Sequence, residues 1–338
     1  MRTRDAIFAY APPRRLLAQA DEWMNTAREM LDDHRASPGD AEALVERLGI
    51  EATSRGVQRP ATFILACYAI MTELPDHPRL GTMDGLLYRM EVDQFPRPMA
   101  DAFIDGLERM RASTDPTHDL AHLTRVLEVA RLLWTESGGD NNWPLLATAI
   151  AWHDAARYKD MGPLLKLSGS PRGLLGRIPL LHNLSIAHIT MTDARRSIEI
   201  ANERLPKFGL LGREMAEIAR IITGSDSRFL VAGPPRKPDS AACILSDADA
   251  LDVISFGRWE ILVQNSLRQD PVVARHFDQV AWLSFHFAVP KLQGILSSPL
   301  ARQLYTFWSS ASLQHLRSFY PDDSPHYHAA LLASDSRP

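Results

Sequence analysis

Residues 118–126 read His118-Asp119-Leu120-Ala121-His122-Leu123-Thr124-Arg125-Val126, and the reading of this stretch governs the rest of the chain. Residues three and four apart share a face of a helix, so a helix here stacks His118 over His122 and sets Arg125 beside His122. That face carries imidazole and guanidinium, whereas Leu123, Val126, Leu127, Ala130 and Leu133 form an apolar stripe opposite it. The pattern predicts a helix with one side in a core and one in a pocket, capped at its start by Thr117 or Asp115.

Two later stretches answer it. LLATAIAWHDAARY (145–158) predicts an apolar helix that ends by presenting the adjacent pair His153 and Asp154. Neighbouring helical residues project about 100° apart, so such a pair grips one ion only near its rim. ILSDADALDVI (244–254) sets Asp247, Asp249 and Asp252 after a short apolar run. Imidazole and carboxylate donors together suit Mn, Fe, Co, Ni or Zn better than Ca or Mg alone. A single site built from all three stretches requires a helical core that brings distant residues together.

At these residues the chain resembles the HD superfamily of metal-dependent phosphohydrolases, and within it a bacterial branch with HDxxHxxRV near the start and DADRLD near the end. The resemblance implies an all-α fold, an HD-type helical bundle, with four ligands in the order His, His-Asp, Asp. Carried over, these are His122 of the HxxRV helix, His153 and Asp154 of the adjacent pair, and Asp249 of Ala248-Asp249-Ala250-Leu251. Residues 291–316, KLQGILSSPLARQLYTFWSSASLQHL, are similar to the branch's final helices, so the resemblance covers residues 113–320. One departure is clear: the branch has Arg where this chain has Ala250.

The activity so implied is hydrolysis of a nucleotide or other small phosphoester by hydroxide held on one divalent transition metal (Mn, Ni, Co, Zn or Fe). Family sites with two metals use further histidines between the pair and the last Asp, where this chain offers only His182 and His188. His118 is the candidate proton carrier, and Arg125 and Arg157, with Lys159, are the candidates to stabilise developing negative charge. Asp247 and Asp252 are expected as acceptors for ligand imidazoles, as alternative ligands, or as helix caps. Past the pair, Arg157, Lys159, Lys166, Arg172 and Arg177 face Asp160 as the only acid in a stretch broken by Gly162-Pro163 and Ser170-Pro171. Lys159, Lys166 and Arg172 are therefore phosphate-binding candidates on a loop at the rim, with a solvated loop as the plain alternative. Two other readings stay open: a degenerate HD-fold binding or regulatory module, and a di-iron oxygenase that would need more histidine ligands.

Composition narrows the classes. An apolar fraction of 45% over 338 residues is enough for a sizeable core. A net charge of −4 gives no general attraction to nucleic acid or anionic lipid, which favours a small phosphorylated substrate over a polymer. Cys67 and Cys243 lie in apolar runs and read as buried thiols, which suits a reducing compartment. The opening MRTRDAIFAYAPP lacks an apolar signal region, and FILACYAIM (63–71) is far short of the roughly 20 residues of a membrane span, so a cytoplasmic location without membrane contact is expected. Helical spacing predicts helices over 13–34, 41–49, 61–73, 99–110, 190–208 and 213–223, with no alternating pattern anywhere. The turn Thr114-Asp115-Pro116 suggests a boundary near Ser113. That divides the chain into an N-terminal helical region (1–112), the HD-type domain (113–320) and a flexible tail (321–338). The N-terminal region reads as a helical layer packed on the catalytic half, or as a regulatory or dimerising element that would make the chain a homo-oligomer.

Overall fold

The apolar run at 143–152 becomes a helix buried on every side, and the other helices are arranged about it. The structure is a computed structural model and describes residues 83–113, 118–139, 142–157, 193–225, 240–255, 258–259, 289–302, 304–305 and 308–309. The helices expected at 13–34, 41–49 and 61–73, the tail, and Lys159, Lys166 and Arg172 lie outside the described residues. In chain order the helices are α1 (Met83–Arg89), α2 (Arg97–Arg111), α3 (Leu120–Glu136) and α4 (Trp143–Trp152). After them come α5 (193–204), α6 (Gly212–Ser225), α7 (Ala241–Asp252), α8 (Val289–Ile295) and a last helix, α9, that begins at 299. Short 3-10 turns stand at Val92–Gln94, Ala155–Arg157 and Leu205–Phe208. Among the described residues there is no strand, so the all-α expectation holds.

Every residue of α4 except Pro144 is buried. Its neighbours are α2, α3, α6 and α7, and α7 in turn packs along both α3 and α6. Burial of each large side chain here contributes about 1.5–3 kcal/mol, and Leu146, Ile150 and Trp152 are fully buried. Two indoles fix the helix at its ends: Trp143 Nε1 donates to the Met90 carbonyl at 3.0 Å and Trp152 Nε1 to the Ala102 carbonyl at 2.9 Å. The crossing with α2 is close enough that a Cβ at Gly106 would stand 2.9 Å from the Ala151 Cβ. α6 and α7 approach similarly, where a Cβ at Gly224 would stand 2.8 Å from that of Ala242.

Residues 83–112 share this core, with Leu86, Met90, Phe103, Leu107 and Met110 buried against it. Arg204 on α5 holds Asp105 on α2 through two hydrogen bonds at 3.1 and 3.2 Å. Arg109 Nε donates to the Ala155 carbonyl at 3.1 Å, and the Ala156 amide donates to Ser197 Oγ at 3.1 Å. The turn that follows the His-Asp pair is therefore gripped from α2 on one side and α5 on the other.

The start of α3 differs from the expectation. Asp119 is the cap, accepting the His122 amide at 3.0 Å, so the helix begins at Leu120, and the caps expected at Thr117 or Asp115 lie outside the described residues. A carboxylate three residues ahead of His122 reaches that free amide directly, and the cost is that His118 falls before the first turn. Among the described residues no helix is long and apolar enough to cross a membrane.

Candidate metal centre

α3, α4 and α7 deliver the four residues expected as ligands to one place. His122 sits in the first turn of α3, His153 is the residue that ends α4, Asp154 follows it, and Asp249 lies in the last turns of α7. Asp154 Oδ2 is 3.2 Å from His122 Nε2 and 3.5 Å from His153 Nε2. Asp249 Oδ1 is 3.6 and 3.7 Å from the same two nitrogens. Ligands about 2.1 Å from a shared ion stand about 3.4 Å apart in a tetrahedron and about 3.0 Å apart at the edge of an octahedron, so these spacings match an ion-sized gap. Among the described residues, His122, His153 and Asp249 form a group whose donor atoms lie within 4.8 Å of one another and that can hold a metal ion, and Asp154 stands beside this group rather than in it.

Each imidazole is oriented from behind. His153 Nδ1 donates to the Ile150 carbonyl at 2.7 Å, and His122 Nδ1 donates to Asp252 Oδ2 at 2.8 Å. A carbonyl and an ionised carboxylate only accept, so each ring keeps a proton on Nδ1 and turns Nε2 to the gap, where an ion can take the place of any proton it carries. These two Nε2 atoms are buried and make no hydrogen bond of proper geometry. Buried nitrogens without hydrogen bonds of proper geometry, facing two carboxylates, fit a metal ion.

The local field agrees. Burial opposes a charged His153, but the Asp154 carboxylate, with Asp249 next to it, outweighs that and pushes the imidazole up to about 10. His122 is raised as well: burial lowers it, and Asp252 and Asp154 more than compensate. For Asp249, burial raises the carboxyl while His153 and His122 bring it below the usual range. Asp252 is held well below that range, because the Arg125 and His122 charges overcome its burial. Asp249 is the open side of the site, with 48% of its side chain exposed, against 9% for Asp154 and 8% for His153.

The acids expected as acceptors, caps or alternative ligands divide between the first two placements, and neither faces the gap between the two Nε2 atoms. Asp252 is the imidazole acceptor. Asp247 turns the other way and accepts the Ser297 and Ser298 amides at 2.9–3.1 Å, holding the turn into α9. Its carboxyl is raised by burial, which those two amides only partly offset.

Arg125, expected to stabilise developing negative charge, is paired with Asp252. Its Nε and Nη2 reach Asp252 at 2.5 and 3.3 Å, on the Nδ1 side of His122. The two ring nitrogens point in opposing directions, so Arg125 lies behind the imidazole, against Asp252. His118 is not stacked one helical turn above His122 but meets its ring edge-on, with centroids 5.2 Å apart, and its Nε2 is 3.4 Å from Arg258 Nη2. Arg157 belongs to the turn after the pair, and its side chain lies outside the described residues.

Sequence reasoning passed over Ser255, Arg258, Arg109 and Ser197. Ser255 and Arg258 follow Asp252 at intervals of three, and that spacing was the available signal. Arg109 and Ser197 act on backbone groups, for which no side-chain motif exists. No family model, curated protein or solved structure matches the chain.

Proposed function

We propose that the chain is a metal-dependent phosphohydrolase of the HD type, acting on a nucleotide or another small phosphoester. The observation that carries this reading is the convergence of His122, His153, Asp154 and Asp249, with both Nε2 atoms buried and facing the two carboxylates. Two imidazoles and two carboxylates suit one Mn, Fe, Co, Ni or Zn ion. Bound there, such an ion supplies a Lewis acid that acidifies water and draws charge from a phosphoryl oxygen.

The chain's own residues set the geometry for that chemistry. The Ile150 carbonyl and Asp252 fix the two rings, while the buried Asp154 presses on both. The exposed flank at Asp249 is the side from which a small substrate enters. His118, against the His122 ring, is the described candidate for carrying a proton. Phosphate contacts fall to Arg157 and to the basic loop with Lys159, Lys166 and Arg172. A net charge of −4 without a long basic track favours a small substrate over a polymer.

A second reading, a metal-holding regulatory module without hydrolysis, draws on two observations: Arg125 is committed to Asp252, and Ala250 stands where the branch has Arg. One experiment separates the two. Metal analysis of the purified protein is followed by a screen of phosphorylated metabolites for released phosphate, with His153→Ala as control. One equivalent of Mn, Co, Ni, Zn or Fe, with release that the variant loses, supports hydrolysis. Bound metal without release from any substrate supports the module. Two irons point to oxidation, and a protein that neither retains nor takes up metal overturns both readings.

A further inference from the structure

We propose that the turn leaving α7 is a positioning device, in which Ser255 and Arg258 lock the Asp252 carboxylate against the His122 ring. The inference rests on His122 being a ligand, but its core can be tested on metal-free protein.

Asp252 is 2% exposed and serves several donors at once. Oδ2 accepts from His122 Nδ1 at 2.8 Å and Arg125 Nη2 at 3.3 Å, and Arg258 Nη1 stands 3.7 Å away. Oδ1 accepts from Arg125 Nε at 2.5 Å and from Ser255 Oγ at 2.9 Å. The Ser255 hydroxyl does two jobs, because its oxygen also accepts the Arg258 amide at 3.3 Å. Asp252, Ser255 and Arg258 thus close one circuit within seven positions of chain. Asp252 to Ser255 runs through the hydroxyl, Ser255 to Arg258 through the amide, and Arg258 returns to Asp252 through its guanidinium.

The circuit matters because of what it joins. Arg258 Nη2 stands 3.4 Å from His118 Nε2, at the entrance to α3, while Asp252 ends α7. One guanidinium therefore ties the start of the helix that carries His122 to the end of the helix that carries Asp249. An imidazole free to turn about its Cβ–Cγ bond would not present Nε2 in one direction. A carboxylate held only by that imidazole would move with it, whereas one pinned by a hydroxyl and two guanidinium groups cannot. Groups that hold a ligand histidine from behind are commonly worth 10–100-fold in metal affinity, and burying a carboxylate without cationic partners is costly.

A double-mutant cycle tests this. Co²⁺ affinity is measured by visible absorption for Ser255→Ala, Arg258→Gln and Arg258→Lys, each in the wild-type and in the Asp252→Asn background. Each variant should still melt cooperatively. Ser255→Ala and Arg258→Gln should each weaken Co²⁺ binding about tenfold in the wild-type background. With Asp252 already neutral, Ser255→Ala should change it by less than about twofold, since its route to the metal has gone, and Arg258→Gln should cost clearly less than in the wild-type background, keeping only the share that runs through His118. Arg258→Lys keeps the charge but spans one partner, so it should recover part of the loss. In the metal-free protein at fixed pH, the downfield proton resonance of His122 Nδ1 should exchange faster with water in both neutral variants.

Equal losses in the two backgrounds would mean that these residues act on the fold at large, and would overturn the proposal. So would unchanged affinity in the single variants. If Arg258→Gln fails to fold, Ser255→Ala and Arg258→Lys decide the matter by the same comparison. If the wild-type protein binds no Co²⁺ at all, the proposed function fails instead, and the exchange rate of the Nδ1 proton still decides whether the turn positions the ring.

Discussion

Loading the site with metal should release protons, and the number released follows from the charges around His153. That imidazole is buried, which by itself opposes protonation, yet Asp154 and Asp249 push it from 6.5 up to about 10. In the metal-free protein it therefore carries a proton on Nε2 at pH 7.5, where an ion has to bind. Each proton displaced makes the apparent metal affinity rise tenfold per pH unit, about 1.4 kcal/mol, over the range in which the free site is protonated. His153 contributes this slope from neutrality to about pH 10, and His122, also raised, adds a second proton below its own midpoint. Calorimetric titration of Co²⁺ in buffers of different ionisation enthalpy should find between one and two protons released per ion at pH 7.5, and tighter binding at pH 8.5. Asp154→Asn removes the strongest force raising His153 and should lower the proton count. The same shift governs the stability of the metal-free protein. The folded midpoint lies above the unfolded one, so the stabilisation is complete below pH 6.5 and is lost as pH rises through about 10. The metal-stripped protein should thus be less stable to denaturant at pH 10 than at pH 7, by an amount on the order of a few kcal/mol. Metal affinity that stays flat between pH 7.5 and 8.5, with no proton released, would refute the reasoning.

Three further outcomes follow from particular contacts. Asp249→Ala should abolish metal binding with little change in the melting temperature of the metal-free protein, whereas Asp247→Ala, which leaves the Ser297 and Ser298 amides without their acceptor, should cost about 1–3 kcal/mol in denaturant unfolding and leave metal affinity unchanged. Gly106→Val should destabilise by about 1–3 kcal/mol or more in the same assay, because even a bare Cβ would stand 2.9 Å from that of Ala151. Trp152→Phe removes the donor to the Ala102 carbonyl and should cost about 1–3 kcal/mol, with a loss of metal affinity as well, since the next residue is His153.

Much of this was legible in the residues. The apolar run before His153 announced a buried helix, and the histidines and acids that the resemblance selected do meet at one point. Their types were readable because few chemistries place two imidazoles and two carboxylates in that order. The direction of each side chain was not readable. Asp247 and Asp252 are both acids on α7, five positions apart and so on different faces of it, and only the packing of α3 against α7 shows which one reaches His122. Periodicity aligned His118 with His122, but a competing local force prevailed: Asp119 is better used as a cap than as a helical residue. Arg125 was read as facing the reaction because its charge suits phosphate, and the structure sets it behind the ring because Asp252 is the nearer anion. The grip of Arg109 and Ser197 on the turn after the pair involves backbone atoms, which composition and spacing do not report.

X-ray absorption on protein loaded with one equivalent of Co²⁺ or Zn²⁺, compared with the His122→Ala, His153→Ala, Asp154→Ala and Asp249→Ala variants, tests the metal centre most directly. Two imidazole nitrogens and carboxylate oxygens at about 2.0–2.2 Å from a single ion, with the nitrogen count falling in each histidine variant, is the expected result. An ion ligated without those two imidazoles, or no ion held at all, would contradict the account.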